Sequence, residues 1–126
     1  MPTDSRATEL AKIAVNYSVE AKHNEKVIIS GGSEAIPLLV ELYKQIILAG
    51  AIPIVRVHLP DINDFFFKYA QEHHLNYFPQ YWFDTVKQAH KYIGINTDIN
   101  TRELSNCDSE KIMLRKKVTE KISDYI

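Results

Sequence analysis

Four consecutive residues, Ser30-Gly31-Gly32-Ser33, are the first place in this chain where residue types and spacing can do chemistry. Backbone amides of a glycine turn that opens a helix form an anion site, because unpaired N–H groups and the helix dipole both favour negative charge. The motif itself is weak. Gly31-Gly32 fits neither G-x-G-x-x-G nor G-x-x-x-x-G-K-[ST], and no acidic residue follows at the ribose-binding position. The simpler reading is that the glycines make a tight strand-to-helix turn. Five histidines raise metal binding as a second chemistry. His73 and His74 are adjacent, so on a helix or a strand they point apart and do not readily share one ion. No H-E-x-x-H or C-x-x-C accompanies them, and His23 and His90 fall at element ends. Ser30, Ser33 and Cys107 are poor nucleophile candidates, since no base with an orienting partner stands beside any of them.

The elements that must position these groups lie in residues 26–59. Val27-Ile28-Ile29 is a short β-branched run that reads as a strand. Ser33 is placed to cap a helix, Glu34 puts negative charge in its first turn, and Pro37 lies near the start. Leu38, Leu42, Ile46 and Ala49, with Leu39, Tyr43 and Ile47 beside them, form a broad apolar stripe. Gly50 ends the helix, and Pro53 opens a second strand through His58 and Leu59. A helix between two short apolar strands is a βαβ unit with parallel strands and a right-handed crossover. The fold class is therefore α/β, a three-layer sandwich with a short, mainly parallel sheet flanked by helices, of expected order 2-1-3. Ligands of such sheets bind beyond the carboxyl ends of the strands, at the switch point of the strand order. The candidates there are Ser30, Gly31, Gly32, Ser33, His58 and Asn96, with Arg102 reaching in from the 96–102 segment.

Around this unit, a first helix is expected to bury Leu10, Ile13, Ala14 and Tyr17, with a cap at Asp4 or Ser5 and a turn at His23-Asn24. Asp61 is a candidate cap for a helix carrying Phe65, Phe66 and Tyr69, and residues 73–79 read as irregular and aromatic. A helix through Trp82, Phe83, Val86 and Ala89 leads to a third strand at 91–96, where Gly94 marks a bulge or a close backbone approach. Asp108 or Ser109 caps a last helix striped by Leu114, Val118, Ile122 and Tyr125. The whole of 1–126 reads as one domain. In a βαβ series a fourth strand should follow that helix. The expectation is that the chain is the N-terminal domain of a longer one, the alternative being a natural C-terminal helix docked on the sheet. Phe65-Phe66-Phe67 and the aromatics of 77–83 exceed what one small core needs, which suits a surface made for another domain. A net charge of −1 and no lysine–arginine cluster argue against nucleic acid. No apolar run spans a bilayer, so no membrane is expected as a partner. The N-terminal residues have no apolar core of a secretory signal, and the single Cys107 cannot form an internal disulfide, which accords with a cytoplasmic setting.

The segments, in order, resemble the N-terminal domain of the thermophilic metallo-aminopeptidase family, the aminopeptidase T and aminopeptidase S type. The matching residues are Leu10-Ala11 with Asn16-Tyr17-Ser18, Lys26-Val27-Ile28-Ile29, and Ser33-Glu34-Ala35-Ile36-Pro37-Leu38. Ala49-Gly50-Ala51-Ile52-Pro53-Ile54-Val55-Arg56, Asn100-Thr101-Arg102-Glu103-Leu104 and Asp108-Ser109-Glu110-Lys111 continue the match. The resemblance implies a two-metal exopeptidase, with divalent ions of the zinc or cobalt type, that removes N-terminal residues from peptides. It places the metal ligands in a C-terminal catalytic domain of the same chain, so no cofactor and no catalytic residue is expected within these 126 residues. It implies peptide substrates, a homodimer when full length, and a role for this domain in covering the cleft, with the strand-end loops facing it. The competing reading is a self-standing α/β module that binds a small nucleotide-like anion at the 30–33 turn.

Overall fold

The computed structural model describes residues 5–95 and 108–126. They fall into two compact units, Met1–His58 with Gln88–Asp98, and Leu59–Lys87 with Ile99–Ile126.

The first unit is built on three parallel strands in the order β2-β1-β3: β1 (Lys26–Gly32), β2 (Ile52–His58) and β3 (Lys91–Gly94). The sheet is open and flanked by helices, as the alternation of short β-branched runs and an apolar-striped helix requires. Lys26 lies beside Ile52 and Gly32 beside His58 on one flank, Val27 beside Lys91 and Ser30 beside Gly94 on the other. Before the sheet come α1 (Ser5–Ile13) and a π-helical turn at Ala14–Ser18; between β1 and β2 come a 3₁₀ turn at Ser33–Ala35 and α2 (Ile36–Leu48). Val27 and Ile29 pack with Ala11 and Val15 from the first helical segment and with Leu39, Leu42 and Ile46 of α2. Ile28, Ile29, Leu42 and Ile46 are fully buried, each contributing about 1.5–3 kcal/mol of transfer free energy.

The turn after α2 follows from one glycine. Gly50 sits at φ +82°, where a side chain would be strained. Its N–H donates to Ile47 and the Ala51 N–H to Ile46, which closes the helix as a Schellman motif. Ile52 N–H then donates to the Glu25 carbonyl and starts the β1–β2 ladder.

Three local expectations need correction. Ala11 and Val15, not Leu10, Ile13 and Tyr17, form the buried side of the first helical segment. Small side chains let α1 approach α2 closely, and the Thr8 hydroxyl donates to Glu41 Oε2 at 3.2 Å across that contact. Glu41 is thus buried and paired, its other oxygen 3.0 Å from Lys44 Nζ, while Tyr43 and Ile47 of the expected stripe are exposed. Gly31 and Gly32 belong to β1 rather than to a turn, opposite Val57 and His58. A Cβ on Gly31 would stand 3.1 Å from that of Ala35, so this glycine sets how closely strand and helix meet.

The second unit is helical: α3 (Pro60–Tyr69), α4 (Glu72–Asn76), α5 (Gln80–Gln88) and α6 (Ser109–Tyr125). Leu59 stands at the N-cap of α3 with Pro60 inside its first turn, so Asp61 serves the helix dipole and not the cap. Asp108 caps α6 by accepting the Glu110 N–H at 2.9 Å. Arg115 of α6 donates to the carbonyls of Leu75 and Tyr77, which the C-terminal end of α4 leaves unpaired, and lies over the Phe66 ring. Partial burial lowers the Arg115 pKa from its ordinary value, Tyr77 acting in the opposite sense. Phe83 is the centre of a small aromatic group, edge-on to Phe78 and Tyr125.

Candidate functional site

Strand phase decides which strand-end residues meet. The register puts Ser30 and Gly32 of β1, Arg56 and His58 of β2, and Tyr92 and Gly94 of β3 on one face of the sheet. Gly31 and Val57 point to the opposite face, which α2 covers. Of the strand-end candidates, Ser30, Gly32 and His58 therefore share a face and Gly31 does not.

Ser30 is almost fully buried, and its hydroxyl is 2.7 Å from that of Tyr92. Gly94 leaves room for this: a Cβ there would stand 3.2 Å from Tyr92 Cε1, a tight contact that the ring would have to relieve by shifting a few tenths of an ångström. Ser33 does not cap. Its hydroxyl donates to Glu34 Oε2 at 3.3 Å, and that oxygen lies 2.9 Å from where a Cβ of Gly32 would be. The carboxylate of Glu34 thus stands over the glycine segment, where the anion-binding reading would put its ligand.

His58 ends β2, two residues after Arg56 and on the same face. Partial desolvation first and the Arg56 charge second lower its pKa below the ordinary histidine value. Its imidazole is thereby favoured in the neutral form, able to donate one hydrogen bond and accept another. Together the hydroxyl pair, the Arg56 guanidinium and a neutral imidazole can bind and orient a polar group. A nucleophile paired to a base is not among them. Asn96 and Arg102 lie outside the described residues. Sequence reasoning missed Tyr92 and Arg56. Arg56 was visible as the residue two before His58 on a strand, whereas Tyr92 becomes a partner of Ser30 only through the β1–β3 register.

The histidine pair is arranged otherwise than adjacency suggests. The His73 and His74 rings stack with centroids 3.9 Å apart, in α4 rather than in an irregular segment. His74 Nδ1 accepts the Gln71 N–H at 3.0 Å as half of a capping box, so it is committed to the helix start. No group of three or more histidine, cysteine, aspartate or glutamate side chains gathers among the described residues. They do not supply the donor set of a two-metal centre.

An open parallel α/β sheet with a polar strand-end face is the class that fold and site define. Residues 3–126 match the family of thermophilic metalloproteases (M29), and the chain belongs to that family. Its structure is similar to that of wild-type AmpT from Thermus thermophilus, with a TM-score of 0.80 at 16% identity. The likeness covers 96% of this chain and 32% of that one, so the chain spans about a third of its relative's length. At that identity the likeness speaks for the fold. No curated protein matches the sequence. No helix among the described residues is long and apolar enough to cross a membrane.

Proposed function

We propose that this chain is the N-terminal, non-catalytic domain of a metal-dependent aminopeptidase that releases N-terminal amino acids from peptides, and that it helps form the substrate cleft. One observation carries the reading: the metalloprotease family match runs through almost the whole chain, while the chain spans only 32% of a structure in which that fold occurs. The catalytic domain and its pair of divalent metal ions then belong to the remaining length of the enzyme. Bound there, the metals supply Lewis-acid polarisation of the scissile carbonyl and a hydroxide nucleophile. This domain's own contribution is binding and orientation. The strand-end face of Ser30, His58 and Tyr92 is the part that turns to the peptide, and Asn96 and Arg102, which lie outside the described residues, are proposed from the sequence to join it. A cytoplasmic setting and a homodimer of the full-length enzyme complete the proposal.

Reading the gene past residue 126 tests the larger claim. A frame continuing into a domain with glutamate, histidine, tyrosine and aspartate ligands is expected; an immediate stop codon overturns it. Arg102→Ala in the full-length enzyme tests the cleft role, with a severalfold rise in KM for short peptides expected. Unchanged kinetics would remove Arg102 from the cleft.

A further inference from the structure

The outer edge of β2 pairs with no strand among the described residues, and its phase can be read from one hydrogen bond. Ile52 N–H donates to the Glu25 carbonyl, so the main-chain groups of Ile52, Ile54, Arg56 and His58 point inward along the ladder. Those of Pro53, Val55 and Val57 point outward. The side chains of Val55 and Val57 face α2, where with Ile36, Val40 and Tyr43 they line an apolar groove of about 360 Å³. Val40, Tyr43, Val55 and Val57 are all more than a third exposed. Open main-chain groups beside a groove for alternate side chains are what an extended peptide needs to add as a strand. The two ends of the groove carry opposite charge. A Cβ on Gly31 would stand 3.1 Å from that of Ala35, so Ala35 lies level with Gly31 and with its partner Val57. Lys44 is nine residues on and about 13 Å back along α2, which brings it level with Pro53, about 13 Å back along β2. It lines the groove half exposed, and its ammonium, 3.0 Å from Glu41, has donors for a second carboxylate. At the other end the exposed Glu34 carboxylate stands over Gly32, the partner of His58.

We propose that this edge is a docking site for an extended peptide, added antiparallel to β2 with two apolar side chains in the groove. The peptide residues opposite Val55 and Val57 each exchange both main-chain hydrogen bonds with them, and the one opposite Pro53 donates to the proline carbonyl. Directly opposed residues share a face, so the first two put their side chains between Val55 and Val57 on one side and Val40 and Tyr43 on the other. Charge sets the direction. In the antiparallel sense the carboxylate of a hexapeptide falls at Lys44, and its ammonium lies towards Glu34. A parallel strand would set each terminus against its own sign. The same sense carries the peptide's N-terminus past His58 to the strand-end face of Ser30 and Tyr92. A peptide to be trimmed from that end is thus gripped by the residues behind the one removed. That use of the site rests on the aminopeptidase reading. The docking itself does not, and it is measured on this chain alone.

Calorimetric titration of the chain with the hexapeptide Ser-Val-Thr-Val-Thr-Ala tests it, the two valines falling opposite Val57 and Val55. A dissociation constant below about 1 mM is expected. Val57→Pro removes an outward N–H and no ladder bond, and should raise that constant at least about tenfold. Val40→Lys, at an exposed helical position, should do the same by putting charge in the groove, and circular dichroism checks that both variants fold. Amidating the peptide's C-terminus should weaken binding severalfold by removing the charge that meets Lys44. No binding at millimolar peptide overturns the proposal, as does binding that neither variant weakens. Equal affinity for the amidated peptide overturns the direction. A two-chain mass in light scattering that Val57→Pro returns to 14.5 kDa, with no peptide bound, gives the edge to a second copy and overturns it too.

Discussion

The two units of this molecule are held together in different ways. In the first, every residue of β1 after Lys26 is buried, and the core is aliphatic and closely packed. In the second, α3 buries no residue, and Phe65, Tyr69, Tyr77 and Tyr81 are all more than half exposed. Its helices are joined by a guanidinium on two carbonyls, a few ring edges and a scattered set of buried side chains, Leu75, Phe83 and Ile122 among them. The difference teaches where each unit is vulnerable. A packed sheet core fails by cavity formation, whereas a helical unit with little buried surface fails by loss of a specific polar tie.

That contrast can be broken or sharpened by substitution. Ile46→Ala should have the largest effect, about 2–5 kcal/mol of stability in denaturant titration, because the cavity is lined by strand residues that cannot collapse. A loss below about 1 kcal/mol would mean the first core is no firmer than the second. Arg115→Ala should follow, at about 1–3 kcal/mol, by freeing the carbonyls of Leu75 and Tyr77. Its signature is local: hydrogen exchange should speed up in α4 and α6 and leave β1 unchanged. Equal acceleration in β1 would show the two units unfolding together.

Tyr92→Phe probes the strand-end face and should cost about 1 kcal/mol, since the buried Ser30 hydroxyl loses its partner. Adding Ser30→Ala should then cost almost nothing more. The smallest effect belongs to His58. Its folded pKa is lowered, so the unfolded chain binds more protons below about pH 6.5. Stability contributed by the neutral imidazole is therefore present above that pH and is lost as pH falls through the folded value. Melting temperatures of the parent and His58→Gln between pH 5 and 8 should converge above pH 7 and differ below it. Parallel curves would show that His58 is not desolvated.

Part of this molecule is written locally. Gly50 after an apolar stripe, Asp108 before one, and two β-branched runs about twenty-five residues apart state a helix stop, a helix start and a βαβ unit. Each rests on interactions within a few residues, and right-handed crossover then leaves little freedom in how the strands pair. The placement of the strand-end residues needed more. Whether Ser30 meets Tyr92 depends on a register between β1 and β3 and on Gly94 leaving room, neither of which has a local signal. The apolar periodicity of α1 could not show which side would be buried, because Ala11 and Val15 win by letting α2 come close while larger residues stay outside. Nothing local to Glu41 shows that it is buried, because Thr8 joins Lys44 at its carboxylate only once α1 has packed on α2. The chain alone determined the elements and their order, through short-range capping, turn chemistry and periodicity. Tertiary structure decided which faces were buried and which side chains met, because those outcomes depend on contacts between residues far apart in sequence.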